Sequence, residues 1–167
     1  MKQYFGKYRA TVISNIDPQE MGRLMVEIAD ASNVLPSSWA MPCVPFAGIQ
    51  NGFFAIPAIG SGVWLEFEQG DTDYPVWTGC YWGLGEVPAL ALAGGPGVQQ
   101  IVIQSVLQNT LMISDVPGPT GGILLKSATG ALISINETGI TISNGQGATI
   151  IMTGPTVTIN EGALEVI

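Results

Sequence analysis

The stretch that decides the fold reads, turn by turn, ILLKSATG (123–130), ALISINETG (131–139), ITISNGQG (140–147), ATIIMTGP (148–155), TVTINEG (156–162) and ALEVI (163–167). It is an internal repeat of seven to nine residues, in which a short strand precedes a turn that usually contains glycine. Apolar residues two positions apart share one face of each strand, and Thr, Ser, Asn and Lys occupy the other. Strands at Ile101/Ile103 and Leu111/Ile113 begin the same series before the Pro117-Gly118-Pro119 turn.

A repeat this short predicts an assembly of three chains, because a single chain would bury its apolar rows only thinly. If three identical chains wind about a common axis, each supplies one wall of a triangular prism and the aliphatic rows meet at its centre. At about 25 cal/mol per Å² of buried apolar area, such rows contribute up to tens of kcal/mol per chain. We therefore expect an obligate homotrimer. Its predicted core residues are Ile123, Leu125, Ile133, Ile135, Ile140, Ile142, Ile150, Met152, Val157 and Ile159.

The charge balance excludes several functional classes. Only 11% of the 167 residues are charged, and the net charge is −8, which disfavours nucleic acid as a partner. Histidine is absent, so triad catalysis, imidazole proton transfer and zinc sites built on histidine are excluded. From Gly94 onward the charged residues are few, and they are Asp115, Lys126, Glu137, Glu161 and Glu165.

A break in composition divides the chain. All thirteen aromatic residues lie at or before Trp82, and a segment rich in Gly, Pro and Ala follows. We therefore predict a first domain at 1–82, a linker at 83–97 and a rod at 98–167. The first domain has five period-two strands in about eighty residues, which favours a small closed barrel. They are predicted at 8–13, 22–28, 39–44, 62–67 and 76–82.

No export signal or membrane helix is expected. No apolar run of signal-peptide length follows the basic start before Asp17. Residues 87–114 carry no charge, but their many Gly, Pro, Gln and Asn residues are incompatible with a helix in lipid. We therefore expect synthesis without Sec export.

A few side chains invite a chemical interpretation. Glu66 and Glu68 share one face of a predicted strand, a carboxylate pair that would suit a glycosidase. The same alternation occurs in any half-buried strand, and no third polar group is apparent, so no catalytic residue is assigned. Asp71-Thr72-Asp73 lacks the remaining ligands of a calcium loop and favours a turn. We expect no metal site, no cofactor and no enzymatic activity.

The cysteines and tryptophans leave alternatives open. Cys43 and Cys80 match no metal spacing; two free buried thiols are the first interpretation and one disulfide the second. Trp64, Trp77 and Trp82 are expected in the core, but a barrel that used them as stacking platforms would be a glycan- or ligand-binding module on a trimeric stalk.

Five segments of the first domain carry a family resemblance. They are GRLMV (22–26), WAMPCVPFAG (39–48), GFFAIPAIG (52–60), GVWLEF (62–67) and PVWTGCYW (75–82). They resemble the oligonucleotide/oligosaccharide-binding (OB) domain of contractile-tail spike proteins, of the phage baseplate assembly protein V type. Residues 147–166 are similar to the C-terminal triple-stranded β-helix of that family. The resemblance implies an all-β fold, with a five-stranded OB-fold barrel followed by an intertwined triple-stranded β-helix.

The resemblance also implies a function and partners. A homotrimeric spike would cap the tube of a contractile injection machine and be driven through a target envelope, with transient membrane contact. A conical tip protein of the PAAR type would dock on the C-terminal end, at Ala163, Leu164, Val166 and Ile167. The linker has no space for an inserted lysozyme, and about seven residues precede the first strand. We therefore expect the baseplate hub at the barrel end to be a separate chain.

Overall fold

A computed structural model describes residues 3–28 and 38–166 of the chain. It has two structural units, Met1–Glu86 and Val87–Ile167. Strands dominate both units in the described ranges. None of the helices in those ranges has the length and apolar character needed to span a membrane. The predicted all-β fold class is confirmed.

The described residues of the N-terminal unit form seven strands. They are β1 (Tyr8–Ser14), β2 (Met25–Ile28), β3 (Met41–Pro42), β4 (Ala47–Gly48), β5 (Asn51–Gly52), β6 (Gly62–Phe67) and β7 (Pro75–Tyr81). Five of them form one sheet in the order β2-β1-β6-β7-β3. Neighbouring strands are antiparallel except β3 and β7, which are parallel. Strands β4 and β5 form a separate hairpin.

A bridge between Leu24 and Ala40 joins the two edges of the five-stranded sheet. Leu24 and Ala40 exchange both backbone hydrogen bonds, at N···O distances of 3.0 and 2.8 Å. Since Leu24 precedes β2 and Ala40 precedes β3, this bridge closes the sheet in the manner of an OB-fold barrel. The alternation in β6 puts Val63, Leu65 and Phe67 inside. The rest of the buried core consists of Ala10, Val12, Leu24, Val26, Ile28, Ala40 and Trp77.

The C-terminal unit is a second sheet that follows chain order. Its strands are β8 (Gln100–Gln104), β9 (Thr110–Ser114), β10 (Gly122–Lys126), β11 (Leu132–Asn136), β12 (Gly139–Ser143), β13 (Thr149–Thr153), β14 (Thr156–Ile159) and β15 (Leu164–Val166). Each strand pairs antiparallel with the next. The sequence repeat is therefore a meander in which every unit contributes one strand and one turn.

Part of the segment predicted as a linker is helical and packs on this second sheet. Helix α1 (Ala89–Leu92) is one turn long, and Leu90 lines a small cavity together with Met112 and Leu124. The Gln100 amide, oriented so that each group meets a complementary partner, donates to Leu90 O at 3.1 Å and accepts from Gly94 N at 3.1 Å. These contacts attach residues 90–94 to the first strand of the sheet.

Candidate functional site

Two uninterrupted aliphatic rows run across one face of the C-terminal sheet. The strand register puts each member directly opposite a member on the next strand. Ladder A consists of Ile101, Ile113, Ile123, Ile135, Ile140, Met152, Val157 and, by backbone register, Val166. Ladder B consists of Ile103, Leu111, Leu125, Ile133, Ile142, Ile150, Ile159 and Leu164.

The ladders remain open to solvent in the single chain. Ten of their residues are between 37% and 60% exposed, with Ile150 and Ile101 at the two ends of that range. A face of this extent is the kind of surface that soluble chains cover with a partner. All ten residues predicted for the trimer core lie on the ladders. Their role in a trimer stays a prediction.

The sequence pattern predicts a polar opposite face of the sheet, but part of that face is apolar. At its beginning it carries Val102, Met112 and Leu124, in register with one another, and Met112 is only 4% exposed. Further along it carries Ser134 and Thr141. The signal for this second apolar patch was present in the triplets IVI (101–103), LMI (111–113) and ILL (123–125), because three consecutive apolar residues place hydrocarbon on both faces of a strand.

Polar turn residues connect non-adjacent turns along the edges of the sheet. Among the described residues, four such hydrogen bonds link a side chain to a distant backbone group, in turns or at strand ends. They are Ala128 N to Asn109 Oδ1 at 3.0 Å, Gly118 N to Glu137 Oε2 at 2.8 Å, Asn136 Nδ2 to Pro119 O at 3.0 Å and Thr149 N to Asn160 Oδ1 at 3.1 Å. They restrain the turns where the strand ladder itself ends, which favours a stiff sheet.

Gly139, which begins β12, is required by its backbone and by its neighbour. Its φ is 140°, a region that other residues rarely adopt. A Cβ there would overlap the carbonyl oxygen of Met152. Without a side chain, Gly139 lies against the Met152 carbonyl, and neither β12 nor β13 is displaced at this corner.

The predicted tip residues continue the ladders and do not form a separate patch. Leu164 pairs with Ile159 and ends ladder B, and it is 55% exposed. Val166 pairs with Val157 through the backbone, and Ala163 is exposed in the turn before β15. Ile167 lies outside the described residues. Their part in docking a tip protein stays a prediction.

Glu66 of the predicted carboxylate pair is engaged in an ordinary surface ion pair. Glu66 Oε1 lies 2.6 Å from Lys7 Nζ, and the same ammonium donates to Thr78 Oγ1 at 3.0 Å. Strand β6 ends at Phe67, and Glu68 begins a 3-10 turn. The two carboxylates therefore do not extend side by side from one strand. Asp71 Oδ1 accepts a hydrogen bond from Asp73 N at 3.0 Å, so the predicted turn is confirmed.

The tryptophans proposed as platforms have different environments. Trp77 is buried, and its Nε1 donates to Gly22 O at 3.1 Å. Trp64 contacts Tyr81 at 5.1 Å between ring centroids, and the Arg9 guanidinium lies over both rings. Trp82 is exposed. Trp77 is therefore mainly a core residue, and Trp64 is already covered by its neighbours.

The expectation of buried thiols is wrong. Cys43 and Cys80 are unbonded, and both are exposed. Cys43 follows the short edge strand β3, and Cys80 comes near the end of β7, where the barrel wall meets solvent. The alternation pattern could not reveal this exposure, because both positions lie at the ends of strands.

Asp17 anchors the loop between β1 and β2, which the sequence did not single out. Its carboxylate accepts hydrogen bonds from the backbone N–H groups of Gln19, Met21 and Arg23 at 2.9–3.2 Å. It also pairs with the Arg23 guanidinium at 2.6 Å. The hydrogen bond from that guanidinium, more than the backbone donors, holds the pKa of Asp17 well below its ordinary range, against the opposing effect of burial.

Comparison with known proteins gives two matches, one to each unit. Residues 8–82 match a model described as the type VI secretion system/phage-baseplate injector OB domain. Residues 100–165 match the phage baseplate V C-terminal trimerisation domain. Together the two ranges cover most of the chain. No curated protein matches it.

Proposed function

The chain belongs to the baseplate assembly protein V family of spike proteins, and on that premise we propose that three copies form the central spike of a contractile injection machine. The family is a structural one, with the domains of a phage-baseplate or type VI secretion injector component. The proposal assigns the chain a mechanical role. It assigns no catalytic residue.

The observation that carries this proposal is the pair of open ladders. Two continuous aliphatic rows lie on one side of a domain whose family model is a trimerisation domain, and ten of their side chains are 37–60% exposed. Three such faces turned inward would bury both ladders around a common axis, with the ten predicted core residues at the centre. The absence of aromatic residues after Trp82 suits a narrow axis, where rings would overfill the available space.

The mechanical role follows from the same arrangement. A spike that is driven by sheath contraction must transmit axial force without bending. Antiparallel strands joined along their whole length leave few free edges, and the turn-to-turn hydrogen bonds add restraints at the corners. We propose that the barrel end caps the tube by binding a separate hub protein and that the rod pierces the target envelope.

The C-terminal end is the proposed seat of a conical tip protein of the PAAR type. Leu164 is exposed where ladder B ends, and Val166 ends ladder A by register. In a trimer, three copies of these final rungs would form a blunt apolar surface, which a cap would cover. Assembly is proposed in the bacterial cytoplasm, followed by incorporation into a phage tail or a phage-tail-like particle.

The first experiment tests the trimer by measuring the oligomeric state. Native mass measurement of the purified full chain is expected to give a trimer at micromolar concentration. Sedimentation velocity on the same sample gives an independent mass. A monomer at every concentration would refute the trimer and the mechanical role built on it.

The docking step is tested by truncation. A chain ending at Gly162 is expected to remain trimeric, because most rungs of both ladders are retained, and to lose co-purification with a PAAR-type tip protein. Native mass of the truncated chain is the control that separates lost docking from lost assembly. Unchanged binding of the tip protein by a trimeric truncated chain would contradict the docking site.

A further inference from the structure

The first turn of the C-terminal sheet, formed by residues 105–109 between β8 and β9, presents two apolar side chains to solvent. Val106 is 83% exposed and Leu107 is 73% exposed. The ends of the turn are joined by a hydrogen bond from Ser105 N to Asn109 O at 3.0 Å. The two side chains are therefore held together in water as a small apolar patch, which is a surface that a contact would cover.

This turn lies on one of the two edges of the sheet, which we call edge 1. Because successive strands run in opposite directions, every second turn lies on the same edge. Edge 1 also carries the turns 127–131, 144–148 and 160–163, and edge 2 carries the turns 115–121, 137–138 and 154–155. Those three later turns of edge 1 have no apolar residue larger than alanine. In the described part of the chain, the apolar patch of edge 1 is therefore confined to its first turn.

The first turn of edge 2, residues 115–121, offers an apolar surface at nearly the same height along the stack of strands. Its residues Pro117 and Pro119 are exposed, and Asn136 Nδ2 holds the turn by donating to Pro119 O at 3.0 Å. The 105–109 and 115–121 turns lie at the two ends of β9. Their heights therefore differ by one strand spacing, about 4.8 Å, which a leucine side chain can span.

The charged residues near these two turns have opposite signs. Lys126 ends β10 on edge 1, is exposed, and is the one basic residue of the sequence from Gly94 onward. Asp115 and Glu137 lie on edge 2 and are also exposed. Within the described ranges, neither Lys126 nor Asp115 belongs to an ion pair. The net charge of −8 opposes association in general, but here edge 1 is positive where edge 2 is negative.

We propose that edge 1 of one chain packs against edge 2 of a second copy, with Val106 and Leu107 on the 115–121 turn and Lys126 beside Asp115. The proposal rests on the proposed homotrimer, which the match to a trimerisation domain supports. Three sheets that turn their ladders inward meet along their edges, and rotational symmetry puts edge 1 of each sheet against edge 2 of the next. The contact is thus a corner of the prism, repeated three times.

This corner is continuous with the apolar ladders. Ile103 and Leu111 of ladder B lie directly opposite each other and precede and follow the 105–109 turn. Ile103 is 57% exposed, so the apolar surface extends from the ladder face to the edge. An arrangement that buries the start of ladder B therefore also brings the turn against the neighbouring sheet.

The corner contact would fix the alignment of the three chains along the axis. Both ladders are periodic, and a periodic face allows one chain to slip past another by two strands with its aliphatic rows still buried. After such a slip, Val106 and Leu107 would face the next turn of edge 2, where Glu137 and Thr138 are exposed. An apolar patch against a charged, hydrated turn is unfavourable, so the corner favours one alignment.

The test cross-links the two edges between chains. In a Cys43→Ser/Cys80→Ser background, the full chain carries both Leu107→Cys and Pro117→Cys, and it is treated with a short bismaleimide and separated under denaturing conditions. Within one chain the two sites lie at opposite ends of the five-residue strand β9, about 17 Å apart, which exceeds the reach of a short reagent. Cross-links therefore report contacts between copies.

The matched control replaces Pro117→Cys by Thr138→Cys. Thr138 is also exposed and also lies on edge 2, but its turn is three strand spacings, ~14 Å, from the height of the 105–109 turn. A chain with Leu107→Cys alone is the second control. Native mass of every variant is measured before cross-linking, and Thr120→Cys, in the same turn as Pro117, replaces Pro117→Cys if that variant does not assemble.

A covalent trimer is expected for the Leu107/Pro117 chain, because each copy is then linked to both neighbours. Both controls are expected to run as monomers under denaturing conditions. A native trimer that gives no covalent trimer, a covalent trimer of equal yield from the Leu107/Thr138 chain, or a strong dimer from Leu107→Cys alone would overturn the corner contact and leave the trimer standing. A native monomer of the chain without these cysteine substitutions would overturn both proposals.

Discussion

Substitution of one ladder B residue by alanine tests whether other copies of the chain cover the apolar face. Ile142 lies opposite Ile133 and Ile150 and is 38% exposed in the single chain. Complete burial of an isoleucine contributes about 1.5–3 kcal/mol, so closing the remaining surface contributes about 1 kcal/mol per chain, or ~3 kcal/mol per trimer. Removal of the side chain from a closed axis also leaves a cavity.

The expected cost of Ile142→Ala follows from that closure. In a packed core the substitution costs about 2–5 kcal/mol per site, and the three sites of a trimer share one axis, which gives ~6–15 kcal/mol per trimer. On an open sheet the cost would be on the order of 1 kcal/mol per chain, since much of the side chain would stay in water. The two cases therefore differ severalfold.

Thr141→Ala provides the matched control, because Thr141 is the adjacent residue of β12 and points to the opposite face. Urea unfolding at several protein concentrations, followed by circular dichroism, gives the free energy of unfolding of each variant. Ile142→Ala is expected to lower the midpoint strongly and to make it more dependent on concentration, and Thr141→Ala to have little effect. Equal small effects of the two substitutions would refute the closed axis.

Three further predictions concern single side chains. Because the pKa of Asp17 is lowered in the folded state, its contribution to stability is complete above the ordinary carboxyl range and is lost as the pH falls through that range toward the folded pKa. Asp17→Asn should therefore flatten the acid limb of a plot of melting temperature against pH. Parallel acid limbs of the variant and the wild type would contradict this. Gly139→Ala should cost about 2 kcal/mol or more of stability, because it combines a disfavoured φ with an overlap on the Met152 carbonyl; a melting temperature equal to that of the wild type would exclude the overlap. Glu66→Gln should change stability by less than about 1 kcal/mol, since its ion pair with Lys7 is about half exposed, and loss of a peptidoglycan-cleaving activity in this variant would reverse the structural assignment.

Local patterns predicted most of the strands. The alternation in residues 62–67 marked β6 to the residue, and the glycine-bounded repeat marked the strands of the meander. These strand predictions succeed because a strand with one buried face alternates apolar and polar residues, whichever strand it pairs with. Strand ends were less predictable: β3 is two residues long where six were expected, because pairing with β7 ends where the barrel wall turns away.

The apolar face of the C-terminal sheet was also predictable in part from the sequence. The ladder residues were identifiable from their two-residue spacing, but their common rows depend on register, which a periodic sequence leaves open to slippage. The apolar triplets indicate the patch of Val102, Met112 and Leu124, but the sequence does not show that α1 packs beside it, because the short alanine- and leucine-rich helix resembles a linker.

The sequence by itself determined that the chain is a β protein in two parts and that the second part carries regular aliphatic rows. Periodicity and composition are local quantities, and they suffice for those conclusions. Tertiary structure alone decided the bridge between Leu24 and Ala40 and the anchoring of the β1–β2 loop by Asp17. The bridge joins residues that are distant in the chain, and the loop depends on backbone N–H groups that a pattern of side chains does not reveal.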